Sequence, residues 1–231
     1  MSEYSNLRKS YTSITPAHIC ESSGFATEPV TEDLPSVDID FDALMQINLD
    51  TIGWIMIPNT VISYPVVQVT NNTKYLNTSF EGNHSRAGTP FVNKDNDMQV
   101  LDSNTIIYGH NMGTGRADMF SILLKYKDYE FFAANRYIFF DTIHQQHGWW
   151  EVFAVIELNV RNTAFKYQQM QFQDEDEFMD WITKAVSLSF HETDVEILFN
   201  DRILTLSTCD RSNYGQHGRL LILAVRILNK E

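Results

Sequence analysis

Three side chains in this sequence have the chemistry that acyl transfer requires, namely Cys209, His110 and Arg219. A cysteine acts as a nucleophile through its thiolate, which neighbouring positive charge favours. A histidine can move the proton of a leaving group at neutral pH. An arginine stays charged and can donate hydrogen bonds to a developing oxyanion. Taken singly, His110 is more typical of a structural or surface histidine, and Arg219 of a surface charge. The spacing in the sequence does not show whether the three meet in space.

The segment that leads into Cys209 is typical of a β-strand that ends on a thiol. Alternation gives such a strand two faces, one that begins apolar and one that carries hydroxyl groups up to the cysteine. These faces consist of Leu204, Leu206 and Thr208, and of Thr205, Ser207 and Cys209. The first face suits a core and the second suits the floor of a cleft. A structural cysteine more usually lies among aliphatic side chains, so the pattern favours a working thiol.

The remaining periodicities predict about eight strands and three or so helices without regular βα alternation. The predicted strands are 52–57, 61–69, 91–93, 105–110, 136–142, 149–160, 195–199, 202–209 and 219–228. The predicted helices are 38–49, 117–134 and 174–189. This order favours a mainly antiparallel β-barrel or sandwich with helical insertions over a doubly wound sheet.

Composition limits the classes of partner. The chain has 231 residues, 43% of them hydrophobic, and a net charge of −13, which is typical of a globular domain and argues against nucleic acid or an anionic membrane as a partner. The sequence contains no run of 18 apolar residues of the kind that spans a bilayer. The acidic residues 174–177 open a predicted helix, where carboxylates favour the positive end of the helix dipole. We therefore expect no metal and no cofactor.

The sequence also suggests two parts. Residues 1–36 are rich in Ser, Thr, Glu and Pro, which is typical of a mobile or loosely packed leader, and 37–231 are expected to form the domain. Cys20 lies in the leader, and nothing recommends a disulfide between it and Cys209. His144 and His147 are better explained as surface residues than as metal ligands.

The motifs resemble those of the class B sortases, the cysteine transpeptidases of Gram-positive bacteria. The resemblance lies in Tyr108-Gly109-His110-Asn111-Met112, in Thr205-Leu206-Ser207-Thr208-Cys209 and in Arg219 ten residues later. The stretches 52–55, 62–68 and 72–82 are similar to the opening of the same domain, and the helix at 174–189 falls where class B members carry an extra helix. The resemblance covers roughly residues 38–228 and implies a closed sortase-type β-barrel of about eight strands with an N-terminal helix and helical insertions.

The resemblance also implies roles. Cys209 would attack the threonine carbonyl of a sorting motif of the Asn-Pro-x-Thr-x kind and form a thioacyl-enzyme. His110 would protonate the departing amine and later deprotonate the incoming one. Arg219 would bind the substrate backbone and stabilise the oxyanion, with Thr208 helping. Ser207 would help to hold the sorting peptide. Asn72 and Leu76 match positions that line the peptide groove.

The implied partners are a surface protein or pilin that bears the sorting motif and an amine from a peptidoglycan precursor or a pilin lysine. Three alternatives remain open at this stage. They are a pilin-polymerising sortase, a non-catalytic peptide-binding module of the same fold, and a general cysteine hydrolase. Class B members normally carry a membrane anchor ahead of the domain, and none is found in this sequence. We expect a trimmed ectodomain at the extracellular face of the cell membrane, or a cytosolic protein if the chain is complete.

Overall fold

The structure is a computed structural model that describes residues 3–15, 34–113, 115, 118–144, 148–162 and 164–227. Within these ranges the strands are β1 (Thr12–Thr15), β2 (Ser36–Ile39), β3 (Thr51–Met56), β4 (Ser63–Val67), β5 (Phe91–Val92), β6 (Asn104–Tyr108), β7 (Tyr137–Thr142), β8 (Trp149–Asn159), β9 (Ile203–Cys209) and β10 (Gly218–Arg226). The α-helices are α1 (Glu3–Tyr11), α2 (Phe41–Ile47), α3 (Tyr129–Ala134) and α4 (Glu175–Ser187). Short 3₁₀ helices span Lys74–Leu76, Phe120–Lys127 and Gly215–His217.

Eight of the strands close into a barrel in the order β10-β8-β7-β3-β4-β5-β6-β9. Most neighbours are antiparallel, but β4 and β5 run parallel, as do β6 and β9. The prediction of a closed, mainly antiparallel barrel of about eight strands is therefore confirmed, with two parallel pairs that make the sheet mixed. The parallel pairing of β6 with β9 is the one that matters for the site, because it places the ends of these two strands at the same rim of the barrel.

The barrel wall separates three hydrophobic clusters. Large side chains such as Trp150, Phe140 and Phe120 fill the interior and are fully buried. A second cluster lies on the outer face under α4, where Phe178 and Trp181 pack among residues of β8, β9 and β10. A third lies on the outer face under α1 and α2. Both faces of most strands are thus covered, which explains why β3, β4 and β9 are apolar or buried along nearly their whole length.

Helix α4 confirms the prediction for 174–189. Asp174 caps it, since its side chain accepts a hydrogen bond from the backbone N–H of Glu177. Three acidic residues follow in the first turn, where they favour the positive end of the helix dipole. Among the described residues no group of three or more His, Cys, Asp or Glu side chains is placed to hold a metal ion. His144 is exposed, and His147 lies outside the described residues.

The predicted helix 117–134 was wrong as a single element. The structure has a 3₁₀ helix at Phe120–Lys127 and then α3, separated by Asp128 in an extended conformation. The physical reason is capping, because the Asp128 side chain accepts a hydrogen bond from Phe131 N and starts a new helix there.

The predicted strand at 195–199 was also wrong. This segment has no strand pairing, although Ile197 is buried in the cluster under α4. The apolar pattern therefore reflects side-chain packing and not a hydrogen-bonded ladder. The barrel closes with β6 and β10 on either side of β9, which leaves no free edge there for a further strand.

Parts of the leader contact the domain. Helix α1 packs Leu7, which is 3% exposed, into the cluster under α2. Strand β1 pairs with β2, and the Tyr4 ring lies edge-on to Tyr64 with 5.3 Å between ring centroids. These segments are packed, whereas the composition suggests a mobile or loosely packed leader. The domain boundary at residue 36 stays a prediction, and Cys20 lies outside the described residues. Within those residues, none of the helices has the length and apolar character needed to cross a membrane.

Candidate active site

The register of three adjacent strands brings Cys209, His110 and Arg219 to one rim of the barrel. Arg219 on β10 is the direct antiparallel partner of Cys209 on β9, and side chains opposed in this way project from the same face with their Cβ atoms about 4.5–5.5 Å apart. On the other side of β9, Tyr108 on β6 pairs in parallel with Ser207. His110 and Cys209 each follow two residues after these partners. The placement of the three residues at one rim, which the sequence could not show, is thus a consequence of register.

His110 is held by the segment between β4 and β5. Its Nε2 lies 2.7 Å from the backbone carbonyl of Leu76. Since a carbonyl oxygen can only accept a hydrogen bond, Nε2 carries a proton in this arrangement. The proton that the imidazole can exchange is then the one on Nδ1. The backbone carbonyl of His110 accepts a hydrogen bond from Phe120 N, 2.9 Å away, so the interior 3₁₀ helix fixes the main chain of this segment.

Two positions next to these residues, Gly109 and Gly218, have no room for a side chain. A Cβ on Gly109 would overlap the ring of Phe120, and a Cβ on Gly218 would overlap the backbone carbonyl of Asp210. The first close approach lets the His110 segment lie on the barrel interior. The second lets β9 and β10 meet just beyond Cys209, where Asp210 N donates to Gly218 O at 3.1 Å. Sequence patterning gave no signal for these requirements.

Cys209 is half-buried and its thiol is free. The preceding residues on the same face, Thr205 and Ser207, are 0% and 2% exposed. The Thr205 hydroxyl donates to Asn104 Oδ1 at 2.8 Å, and Asn104 in turn donates to the backbone carbonyls of Tyr167 and Gln169. The face predicted as a cleft floor is therefore buried at Thr205 and Ser207, and Cys209 is the first of its three residues that solvent reaches.

Asp210, the residue after Cys209, forms an ion triad with Lys127 and Glu157 that the sequence did not predict. Asp210 is 0% exposed and its carboxylate is paired with Lys127, whose Nζ also lies 2.7 Å from Glu157 Oε2. Ser212 donates to Asp210 through both its backbone N–H and its hydroxyl. Burial raises the pKa of Asp210, but the hydrogen bonds from Lys127 and Ser212 outweigh it and hold that pKa below its ordinary value. Burial lowers the pKa of Lys127, and its two carboxylate partners raise it above the ordinary value.

Arg219 is anchored by its own turn. Its Nη1 donates to the backbone carbonyls of Gly218 at 2.8 Å and Gln216 at 3.2 Å. A guanidinium has five N–H donors, so Nε and Nη2 remain for an oxygen of a bound substrate. The side chain is half-buried.

The residues predicted to bind substrate divide into two groups. Leu76 supplies the carbonyl that contacts the His110 imidazole. Asn72 contacts the segment that follows β5, where its Oδ1 accepts from Lys94 N at 2.8 Å. Ser207 and Thr208 are buried. The Thr208 hydroxyl donates to Gly109 O at 2.8 Å from the interior face of β9, so it fastens the His110 segment to the cysteine strand. The Ser207 hydroxyl is buried without a hydrogen-bond partner among the described residues.

A cavity of about 550 Å³ lies beside β8, and its lining includes none of Cys209, His110 and Arg219. Its wall includes Leu158, the antiparallel partner of Arg219 on β8, together with Tyr167 and Gln168. The Tyr108 hydroxyl contacts one of the lining residues, since it accepts hydrogen bonds from Gln168 Nε2 at 2.7 Å and from Asn93 Nδ2 at 3.0 Å. Burial raises the pKa of Tyr167 to about 12, so its hydroxyl stays protonated at neutral pH.

Comparison with known proteins agrees with this arrangement. The model of the sortase domain family matches residues 55–227. The chain is 36% identical to sortase B of Listeria monocytogenes over 179 residues, which are 78% of this chain and 70% of the relative. It is 30% identical to sortase B of Staphylococcus aureus over 188 residues, which are 81% of this chain and 74% of the relative.

Solved structures give the same result. A structure of S. aureus sortase B in complex with substrate matches with a TM-score of 0.74 and 30% identity, covering 82% of this chain and 85% of that one. A structure of sortase B from B. anthracis matches with a TM-score of 0.72 and 34% identity, covering 82% of this chain and 85% of that one.

Proposed function

Because this chain belongs to the sortase family and is similar to its class B members, we propose that it is a transpeptidase in which Cys209 is the nucleophile, His110 the proton carrier and Arg219 the oxyanion donor. The observation that carries the proposal is the strand register, which opposes Arg219 to Cys209 and sets the His110 segment beside them.

In the first half-reaction the Cys209 thiolate attacks the carbonyl carbon of the threonine in a sorting motif. The carbonyl oxygen gains negative charge and receives hydrogen bonds from the free N–H groups of Arg219. The carbon–nitrogen bond then breaks, and the departing amine takes a proton from Nδ1 of His110. The product is a thioester between the threonine carbonyl and Cys209.

In the second half-reaction an amine attacks the thioester carbonyl. His110 takes the proton that this amine loses, the carbon–sulfur bond breaks, and Cys209 leaves as the thiolate. A new amide bond joins the acyl part to the amine. The contact between His110 Nε2 and the Leu76 carbonyl keeps the imidazole facing one way through both steps, because only Nδ1 has to gain and lose a proton.

The partners follow from this chemistry. We propose that the acyl donor is a surface protein with an Asn-Pro-x-Thr type motif, held in the groove that Asn72 and Leu76 flank and that Ser207 underlies. The acceptor is a primary amine of a peptidoglycan precursor, and the site of action is the extracellular face of the cell membrane. The residues 37–231 are proposed as the catalytic domain.

The test is to follow the acyl group of an Asn-Pro-x-Thr-Gly peptide by chromatography and mass spectrometry in three parallel reactions. One contains triglycine, one contains a lysine-bearing pilin peptide, and one contains no added amine. We expect the triglycine amide to form at the expense of the free acid. Consumption of the lysine peptide instead would favour a pilin polymerase, free acid at a rate indifferent to both amines would favour a hydrolase, and binding without turnover would favour a non-catalytic module.

A further inference from the structure

The segment that carries His110 leaves the sheet just before it reaches the cysteine. The parallel ladder of β6 and β9 ends at the pair Tyr108 and Ser207, and one further backbone bond follows, from Gly109 N to Ser207 O at 3.1 Å. Beyond this point β6 forms no ladder pair with β9. The distance between the imidazole and the thiol is therefore set by contacts other than the sheet.

Asn111 makes such a contact. Its Nδ2 donates to the backbone carbonyl of Cys209 at 2.8 Å, so the residue next to the imidazole is bonded to the residue that carries the thiol. The same side chain accepts a hydrogen bond through Oδ1 from Gly113 N at 2.9 Å. A carbonyl needs the NH₂ group and an N–H needs the oxygen, so the two contacts together fix the amide in one orientation.

We infer that Asn111 is a positioning residue for acyl transfer, which sets the spacing between His110 and Cys209 through the Cys209 carbonyl. This inference rests on the proposed function. It assigns Asn111 no contact with substrate and no proton transfer. Its effect is on alignment, because proton transfer and attack depend steeply on distance, and a misplacement of about 1 Å can cost about 10²-fold in rate.

The buried surroundings favour this role. Thr208 fastens Gly109 from the interior face, and Asn111 fastens Cys209 from the other end of the same short segment. The main chain of Asn111 forms an isolated antiparallel β-bridge with Met119. Met119 is 2% exposed and belongs to the core. Asn111 is thus held to the core through its main chain and to Cys209 through its side chain. It therefore fixes the reacting groups relative to the core.

The test is the variant Asn111→Asp, which keeps the oxygen that Gly113 needs and replaces the NH₂ that Cys209 needs. We expect its single-turnover acylation rate with an Asn-Pro-x-Thr peptide to fall about 10- to 100-fold, with the KM for the peptide changed less than about twofold, because the variant alters no group that contacts the peptide. Asn111→Ala, which adds no charge, should lose acylation rate by a similar factor. The thermal unfolding midpoint of both should stay within a few degrees of that of the wild type.

Asn159→Asp is the matched control, since Asn159 makes the same kind of turn contact, with Oδ1 accepting from Arg161 N at 2.9 Å. It should acylate at the wild-type rate. Wild-type acylation by both Asn111 variants would overturn the inference, as would a rate loss matched by a rise in KM or by a collapse of the unfolding midpoint. The wild type and Cys209→Ala, assayed alongside, report on the proposed function. A wild type that does not acylate overturns both proposals, whereas equal rates in wild type and Asn111 variants overturn this one alone.

Discussion

Replacing Cys209 by alanine is expected to reduce cleavage of an Asn-Pro-x-Thr peptide by about 10⁴-fold or more, since removal of a covalent nucleophile leaves only the effects of binding and of the oxyanion donor. The measurement is kcat/KM by a chromatographic assay of the released product. Peptide affinity should persist, because the groove is formed by other side chains. The fold should persist as well, because Cys209 is only half-buried and its side chain fills no part of the barrel interior.

The chain provides its own control for this variant in Cys20, its other cysteine. Cys20→Ala should keep wild-type kcat/KM, because the proposed chemistry uses a single thiol. Activity retained by Cys209→Ala, or lost on replacement of Cys20, would contradict the assignment of the nucleophile.

Replacing Lys127 by methionine should cost about 3–5 kcal/mol of unfolding free energy, because it leaves two buried carboxylates without their cation. The side chains of Asp210 and Glu157 are 1% and 5% exposed, so a methionine that fills the place of the lysine leaves both carboxylates poorly hydrated. The measurement is urea or thermal unfolding at pH 7. Lys127→Arg should recover much of the stability, since it restores the positive charge. Lys94→Met is the matched surface control, because its partner Asp95 is 61% exposed and such pairs contribute only about 0–1 kcal/mol.

The stability that the Lys127–Asp210 pair contributes depends on pH in a direction that follows from the two pKa shifts. The pKa of Asp210 lies below its ordinary value of 3.8 in the folded chain, so the pair contributes stability above pH 3.8 and loses it as the pH falls through the lowered pKa. The pKa of Lys127 lies above its ordinary 10.5, so the contribution is complete below pH 10.5 and is lost as the pH rises through the raised pKa. The difference in unfolding free energy between wild type and Lys127→Met should therefore be largest between pH 3.8 and pH 10.5 and should decrease below pH 3.8. A constant difference from pH 7 to pH 3 would contradict the role of Asp210.

Much of the fold could be predicted because barrel strands carry a local signal. The alternation before Cys209 correctly placed Leu204 and Leu206 in the barrel interior. The predictions of a strand at 195–199 and of one helix at 117–134 failed for a common reason. A local sequence pattern contains no information about the tertiary neighbours of a segment. The apolar residues 195–199 pack on α4 without a strand partner, and Asp128 starts a new helix inside what looked like one continuous helix.

The site was predictable as a set of motifs but not as a geometry. The residue types at 110, 209 and 219 suit acyl transfer, and the resemblance gives them roles that stay proposals. Their convergence depends on strand register, which spacing in the sequence does not encode. The contacts of Asn111 and Lys127 could not be predicted from the sequence, although Asn111 belongs to the motif around His110, because their partners, the Cys209 carbonyl and the Asp210 carboxylate, are distant in the chain.

The central claim is that a sorting peptide is transferred onto Cys209, and the mass of the intact protein during turnover tests it most directly. With an Asn-Pro-x-Thr-Gly peptide and no amine, the wild type should gain the mass of the peptide up to threonine, with the added mass mapped to Cys209 by proteolysis. Added triglycine should discharge it as the amide. A gain of the same mass by Cys209→Ala, or its mapping to another residue, would contradict the account.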